Sequence, residues 1–366
     1  MTERRGSPRR NLIGLAIGSS LLILLAGLAQ LAMGSYEMTR SSAAAALSDP
    51  AVWAQPNTLA RLVLGDALAN AFHFGAAAPL STETLIVWNV RLPRLLAALF
   101  VGINLSLAGT ILQAVTRNEM ASPYLLGMSS GAGLAVILVL VLFPAFSPAI
   151  PAIAMLGGGA AFLLVYAIAW NRGTSPVRLV LAGVVIASIA GSLQTALFFM
   201  AKDLTVIQNA MAWTTGSLTG TGWVQVRQIA PWTLVSLVLG LSATRQLDVL
   251  HLGEATALSL GMRVERVRFL LAAIAVIATG AAVAVAGLIG FVGLIVPHIV
   301  RSLVGSSHRR LLLGCAIAGP ALLLTADAVA RLLLSPVQLP VGIVTGCLGG
   351  IFFLFLMRRR RHFGKP

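Results

Sequence analysis

Charge is what this sequence has least of: Asp, Glu, Lys and Arg make up 10% of its 366 residues, against 58% hydrophobic. A water-soluble domain of that size needs far more charge to cover its surface, so a soluble globular fold is excluded. Lysine is nearly absent. Neither Lys202 nor Lys365 closes a G-x-x-x-x-G-K-[ST] run, so the chain has no conventional loop to cradle nucleotide phosphates. Cysteine is as sparse. Cys315 and Cys347 sit inside apolar segments without metal-ligand spacing, and read as small buried residues rather than a disulfide or metal framework. The five His and eleven Asp and Glu form no convincing cluster in the apolar segments, which leaves a membrane enzyme without a catalytic site. No metal site and no cofactor are expected.

What the sequence does have is long apolar runs. Leu12–Met33 and Leu311–Leu334 are long enough, at about 1.5 Å per residue, to cross a hydrocarbon core of roughly 30 Å. Backbone groups in lipid must be satisfied within the segment, so such runs predict helices and an all-α polytopic membrane protein. Candidate spans lie near 12–33, 95–115, 124–143, 148–170, 179–200, 229–244, 269–287, 289–304, 311–334 and 339–357. Phe269–Val304, as one helix, would reach about 54 Å. Gly287, Gly290 and Gly293 offer a place to break it into two short spans. The first run follows Arg4, Arg5, Arg9 and Arg10 but lacks a clear A-x-A cleavage site, so it reads as a retained span.

A net charge of +15 invites a nucleic-acid reading. The basic residues instead fall in short clusters between apolar runs without interleaved aromatics, the pattern of cytoplasmic loops. Both termini are basic and belong inside, which demands an even number of spans. With about ten, 19 of the 26 Lys and Arg lie on the cytoplasmic side. Arg40, Arg61, Arg91, Arg94, Lys202, Arg227 and Arg331 remain outside. The single membrane domain then covers 12–357, between a basic N-terminus at 1–11 and a basic C-terminus at 358–366. It includes external segments at 34–90 and 201–225 and a cytoplasmic loop at 245–268. Leu59–Leu80 carries Arg61, Asp66 and His73, so it reads as an amphipathic interfacial helix rather than a span. Gly14/Gly18, Gly127/Gly131 and Gly342/Gly346 allow close helix approach, and say no more than packed bundle.

The loop at 245–268 holds the most informative motif. Leu250, Glu254, Ala257, Leu258 and Gly261 fall at helical spacings, with Gly261 placed to end a helix. Such a short amphipathic helix can dock in a groove on another protein, or be an ordinary surface loop. Its Glu-Ala-x-Ala-x-x-x-Gly core resembles the coupling loop of FecCD-type permeases, which import ferric siderophores, haem and cobalamin. Further matches run in order from about residue 88 to 357. They include Arg91-Leu92-Pro93-Arg94, Thr116-Arg117-Asn118, Ser122 through Ala132, Leu181-Ala182-Gly183 and Trp213 through Leu218. Gly290-Phe291-Val292-Gly293-Leu294-Ile295-Val296-Pro297-His298 is the most specific stretch, followed by Ala326 through Arg331 and Leu339 through Gly346. The sequence departs from the family at Glu119, Leu288 and Ile351, where Pro is usual, and at Gln338, where Glu is usual; these bear on local loop and gate shape.

The resemblance implies a ten-helix permease paired with a second copy or a paralogue, the path running between them. It implies a cytoplasmic ABC ATPase at Gly253, Glu254, Ala257 and Gly261. It also implies a periplasmic or lipoprotein substrate-binding protein whose glutamates dock on Arg91, Arg94 and Arg331. Exposed arginines suit capture of acidic partners, although interfacial anchoring, with Arg331 paired to Asp327 four residues before it, is the plainer reading of the residues alone. Thr174 and Ser175 become gate candidates by the same resemblance. Asn104 and Gln113 either line a path or make interhelical hydrogen bonds. His298, with no acid within a turn, reads as a structural hydrogen-bonding group. The alternative function is an ion-coupled secondary transporter, for which Asp327 is the one acid within a long span.

Overall fold

The computed structural model describes residues 8–360 save 33, 35, 37, 125, 172, 202–203 and 335–336. Arg4, Arg5, Leu125, Arg172, Lys202, Arg361 and Lys365 therefore lie outside the described residues. Among those described there are ten apolar helices of at least 13 residues, and no β-strand. They are α1 (Pro8–Ala32), α2 (Leu92–Val115), α3 (Met128–Leu142), α4 (Ile150–Ala169), α5 (Pro176–Met200), α6 (Trp223–Ser242), α7 (Val264–Ala286), α8 (Val292–Val304), α9 (His308–Leu332) and α10 (Val341–Arg360). Seven are long and apolar enough to cross a bilayer unaided, while α3, α8 and α10 are shorter. Most of α1 is bare: Ile13, Ile17, Leu21, Leu24, Leu25 and Leu28 are each more than half exposed. In water that face would drive aggregation, whereas in hydrocarbon it is simply solvated.

Helix α2 is the centre of the bundle, packed by α6, α7, α8 and α9, with Leu107, Ile111 and Leu112 wholly buried. Its glycines explain how so many neighbours fit. The backbone of α8 at Gly293 presses on Gly109, and that of α9 at Gly319 presses on Gly102, where a Cβ would collide. Small residues at such crossings let dispersion contacts form between backbones, the main source of attraction when lipid is the solvent. Gly131 meets Gly157 of α4 in the same way, but Gly14 and Gly18 face open space and make no such contact. Cys315 is buried; Cys347 is not, and lies exposed on α10, which corrects the expectation that both are core residues.

The 36-residue apolar stretch breaks as expected. Gly287 (φ 68°) ends α7 and Phe291 (φ 67°) starts α8, so the chain is unwound between them, while Gly293 belongs to α8. Two of the backbone groups released there pair with the segment before α6. Leu288 N–H donates to Trp213 C=O at 2.8 Å, and Ser217 N–H to Ala286 C=O at 2.8 Å. Unwound backbone at membrane depth is tolerated when protein covers it in this way. A left-handed φ is strained for a bulky residue; the Phe291 ring is gripped between Gly349 and Phe353 of α10.

The two segments expected to lie outside are more ordered than the sequence suggests. Residues 34–90 carry short helices Arg40–Leu47, Pro50–Trp53, Pro56–Leu64, Asp66–Ala71 and Thr82–Ile86. Leu59–Leu80 is therefore not one interfacial helix: Gly65 (φ 82°) divides it. Thr82–Ile86 runs through a π turn at Val87–Arg91 straight into α2, so residues 82–90 form the outer end of that helix. The second external segment holds the helix Leu204–Thr215, and from Trp223 onward it is α6. The loop at 245–268 is two short helices, Thr244–His251 and Glu254–Ser259, followed by the first turn of α7.

Candidate functional site

At the basic end, α7 opens with Arg268 one turn in, and this side chain is wholly buried. Its Nη1 donates to Thr174 C=O at 2.5 Å, to Thr174 Oγ1 at 2.9 Å and to Glu265 Oε1 at 2.7 Å. Its Nη2 donates to Glu254 Oε2 at 3.2 Å. The other oxygen of Glu265 accepts from the Thr174 hydroxyl at 2.7 Å. One guanidinium thus joins the short helix Glu254–Ser259, the α4–α5 loop and α7, using the planar fork that only arginine offers. Ser175 caps α5, its Oγ accepting from Arg178 N–H at 3.2 Å, and Pro176 follows at the first helical position.

Gly253 (φ 115°) and Gly261 (φ 78°) bracket the short helix, both in backbone conformations that suit glycine. Ala257 points inward and is fully buried, whereas Leu258 and Leu260 are 56% and 64% exposed. The guanidinium of Arg117, from the loop after α2, lies against Gly253. The helix before it is tied to α9, because Asp248 Oδ1 accepts from His308 N–H at 2.8 Å and lies 2.7 Å from His308 Nδ1. The result is a small apolar ledge presented outward from a polar, well-anchored base.

The junction of α2, α8 and α10 has its own polar group. Gln113 donates to Gly293 C=O at 3.3 Å and accepts from Arg301 at 2.8 Å. Glu119 lies 3.5 Å from Arg301 and 3.8 Å from His298. His298 therefore has an acidic neighbour after all; it comes from a different segment, where a search within one helical turn does not reach. Beside it Met120, Tyr124, Phe291, Leu294 and Phe353 line an apolar cavity of about 350 Å³. Asn104 is buried and bonds across to Thr233 Oγ1 of α6 at 2.6 Å and back to Phe100 C=O. Of the two alternatives for Asn104 and Gln113, both make interhelical hydrogen bonds.

At the opposite end the three expected surface arginines are positioned differently. Arg91 and Arg94 are 3% and 7% exposed, which corrects the expectation that they stand free on the outer face. Arg94 forms a bidentate pair with Asp327 of α9, with N···O distances of 3.0 and 2.8 Å, and donates to Gln338 at 2.7 Å. Asp327 is thus paired across helices to Arg94, not locally to Arg331. A neutral amide suffices at Gln338, since Asp327 already balances the charge. Arg91 donates to the Leu31 and Tyr36 carbonyls, and Arg331, half-buried, reaches Gln30 C=O at 3.4 Å. Beside the unwound stretch at Gly287, Asn209, Trp213, Ser217, Thr219, Thr221 and Gln225 line a cavity of about 360 Å³ whose walls mix polar and apolar groups.

Sequence reasoning placed Thr174, Ser175, Glu254 and Gly253 near the basic end, and the fold brings Thr174 and Glu254 to one side chain. That side chain, Arg268, lies at the end of the basic loop 245–268 and does not stand out from its other cations in the sequence. Its position as the last charge before a long apolar run, three residues after Glu265 on the same helix face, is the available signal. Among the described residues no group of His, Cys, Asp and Glu could hold a metal ion.

The profile of the FecCD transport family matches residues 22–359. The chain is 40% identical over 282 residues to the Fe(3+)-citrate import system permease protein YfmD of Bacillus subtilis, covering 77% of this chain and 84% of that one. It is 40% identical over 284 residues to the hemin transport system permease protein HmuU of Yersinia pestis, covering 75% and 84%. A solved metal-chelate type ABC transporter in an inward-facing conformation superposes with a TM-score of 0.76 at 25% identity, over 94% of this chain and 99% of that one. With the family profile spanning residues 22–359 and relatives 40% identical over three quarters of its length, the chain belongs to the FecCD transport family.

Proposed function

We infer that the chain is the membrane-spanning permease subunit of an ABC importer that moves a ferric chelate, of the siderophore, citrate or haem kind, into the cytoplasm. The observation that carries the mechanism is the Arg268 junction. A partner pressing on the ledge at Gly253–Gly261 acts on Glu254, and through Arg268 on Thr174 in the loop before α5. ATP hydrolysis belongs to that separate partner, and a binding protein supplies the chelate at the outer face. Arg331 remains the arginine best placed to meet it, with Arg91 and Arg94 shaping the surface from beneath. A second copy or a paralogue completes the path, with Glu119, His298 and Arg301 at the inner mouth. Rigid-body movement of helices against each other then alternates access.

The ion-coupled alternative loses its one candidate, because Asp327 is wholly buried against Arg94. Reconstitution in proteoliposomes with the cognate ATPase and binding protein tests the reading. Uptake of the chelate should require ATP and fail when the ATPase phosphate loop is mutated. Proton-driven uptake by the purified chain alone would overturn it.

A further inference from the structure

Each cation on the outer side needs a local reason to be there, because Lys and Arg otherwise favour the cytoplasmic face. Most have one. Arg61 donates to Asp66 and Asn70, both at 2.8 Å, and Arg227 to Val63 C=O at 3.1 Å. Arg91, Arg94 and Arg331 have the internal partners described above. Arg40 is the exception: it is exposed, and among the described residues it makes no hydrogen bond or ion pair.

Arg40 stands at the rim of an apolar groove of about 490 Å³. One wall is the end of α1, at Leu25, Leu28 and Ala32; the other is Ala43, Ala44 and Leu47 of the helix Arg40–Leu47. Helix α1 carries Arg9 and Arg10 in its first turn on the basic side, and at about 1.5 Å per residue it has crossed roughly 30 Å by its last turn. The wall from Leu25 to Ala32 therefore lies in the outer leaflet, and Arg40 at headgroup depth. Leu25 and Leu28 are 55% and 53% exposed, so the groove opens sideways into hydrocarbon rather than up into water.

We propose that this groove binds an anionic phospholipid of the outer leaflet. One acyl chain lies along Leu25, Leu28 and Leu47, and the phosphate meets the Arg40 guanidinium. Two features select that ligand: an apolar slot at bilayer depth takes a chain, and a single unpaired cation at its mouth takes one negative charge. The lipid would bridge α1 to the outer cap beside the Arg91–Leu31 bond. The proposal needs only membrane embedding, so its failure leaves the importer reading intact.

The test uses the full purified chain in neutral detergent, with phosphatidylglycerol, phosphatidylcholine or inorganic phosphate added. Thermal unfolding and native mass spectrometry give the readouts. Phosphatidylglycerol should raise the melting temperature and stay bound, while phosphatidylcholine and free phosphate do neither. Ala44→Trp fills the slot and should abolish retention. Arg40→Gln, at an exposed site that folding does not need, should reduce the preference for phosphatidylglycerol about fivefold, as expected for one cation near an anionic surface. Equal response to both lipids, an equal response to free phosphate, or an unchanged preference in Arg40→Gln overturns the proposal.

Discussion

The two ends of the bundle each hinge on a buried arginine, but the carboxylates they hold differ. At the outer end Arg94 and Asp327 are 8% and 0% exposed, a pair removed from water on both sides. At the inner end Arg268 is 1% exposed, while Glu254 and Glu265 are 46% and 31% exposed. Water screens the second arrangement and not the first. Breaking the outer pair strands a charge in a dry site, whereas Glu254 can leave Arg268 and be solvated, with Thr174 and Glu265 still holding the guanidinium. The Arg94–Asp327 junction cannot open without stranding a charge, whereas the Arg268 junction can lose Glu254 to water without doing so.

The comparison breaks first at Asp327. Asp327→Ala leaves Arg94 buried without its carboxylate and should lower stability by about 3–5 kcal/mol. Thermal unfolding in detergent reads the loss, and the Arg94→Ala, Asp327→Ala double variant should lose less than the two singles summed. Strict additivity would mean that the pair is not coupled. Glu254→Gln is milder for the fold, within about 1 kcal/mol, because the carboxylate is half-exposed. Its effect should show instead as ATP hydrolysis that continues while uptake falls severalfold. A variant with full uptake would remove Glu254 from the transmission route.

The smallest effect sharpens the contrast with a half-buried carboxylate in the segment between α1 and α2. Asp49 caps the helix Pro50–Trp53 and accepts from the Thr84 hydroxyl at 2.6 Å and from Ala51 N–H at 2.9 Å. Chiefly the Thr84 bond, and then the Ala51 bond, hold its carboxyl below the usual range. A depressed folded-state pKa contributes stability that is in place above the unfolded value of about 3.9 and is lost as pH falls through the folded one. The cap should therefore loosen only in acid below about pH 4, and only slightly, because the carboxylate is screened by water. Trp53, edge-on to Trp88 at 5.4 Å, reports this by fluorescence. Asp49→Asn should show no acid step.

The ten helices were legible because length and hydropathy are properties of one segment at a time. The break at Gly287 was legible for the same reason, since a helix of twice the bilayer thickness has to end somewhere. Pairing across segments was not. Asp327 lies four residues from Arg331 and 233 from Arg94, and local spacing favoured the wrong partner. Glu119 and His298 meet for reasons of tertiary packing that neither stretch displays. Arg268 was hidden differently: a cation at the start of a span looks like one more inside charge until three partners converge on it. The family resemblance carried the order of motifs, but not which arginines stand open to solvent.

The close crossings at Gly102 and Gly109 bear on how this sequence can drift. Any single substitution at either position adds at least a methyl group, and the space it would need holds the main chain of α9 or α8. A neighbouring side chain could be trimmed to make room, but a backbone cannot. Accommodation would require moving a whole helix, and with it every other contact that helix makes. In a mutational scan these two sites should tolerate nothing, while the bare outer face of α1 accepts almost any apolar residue.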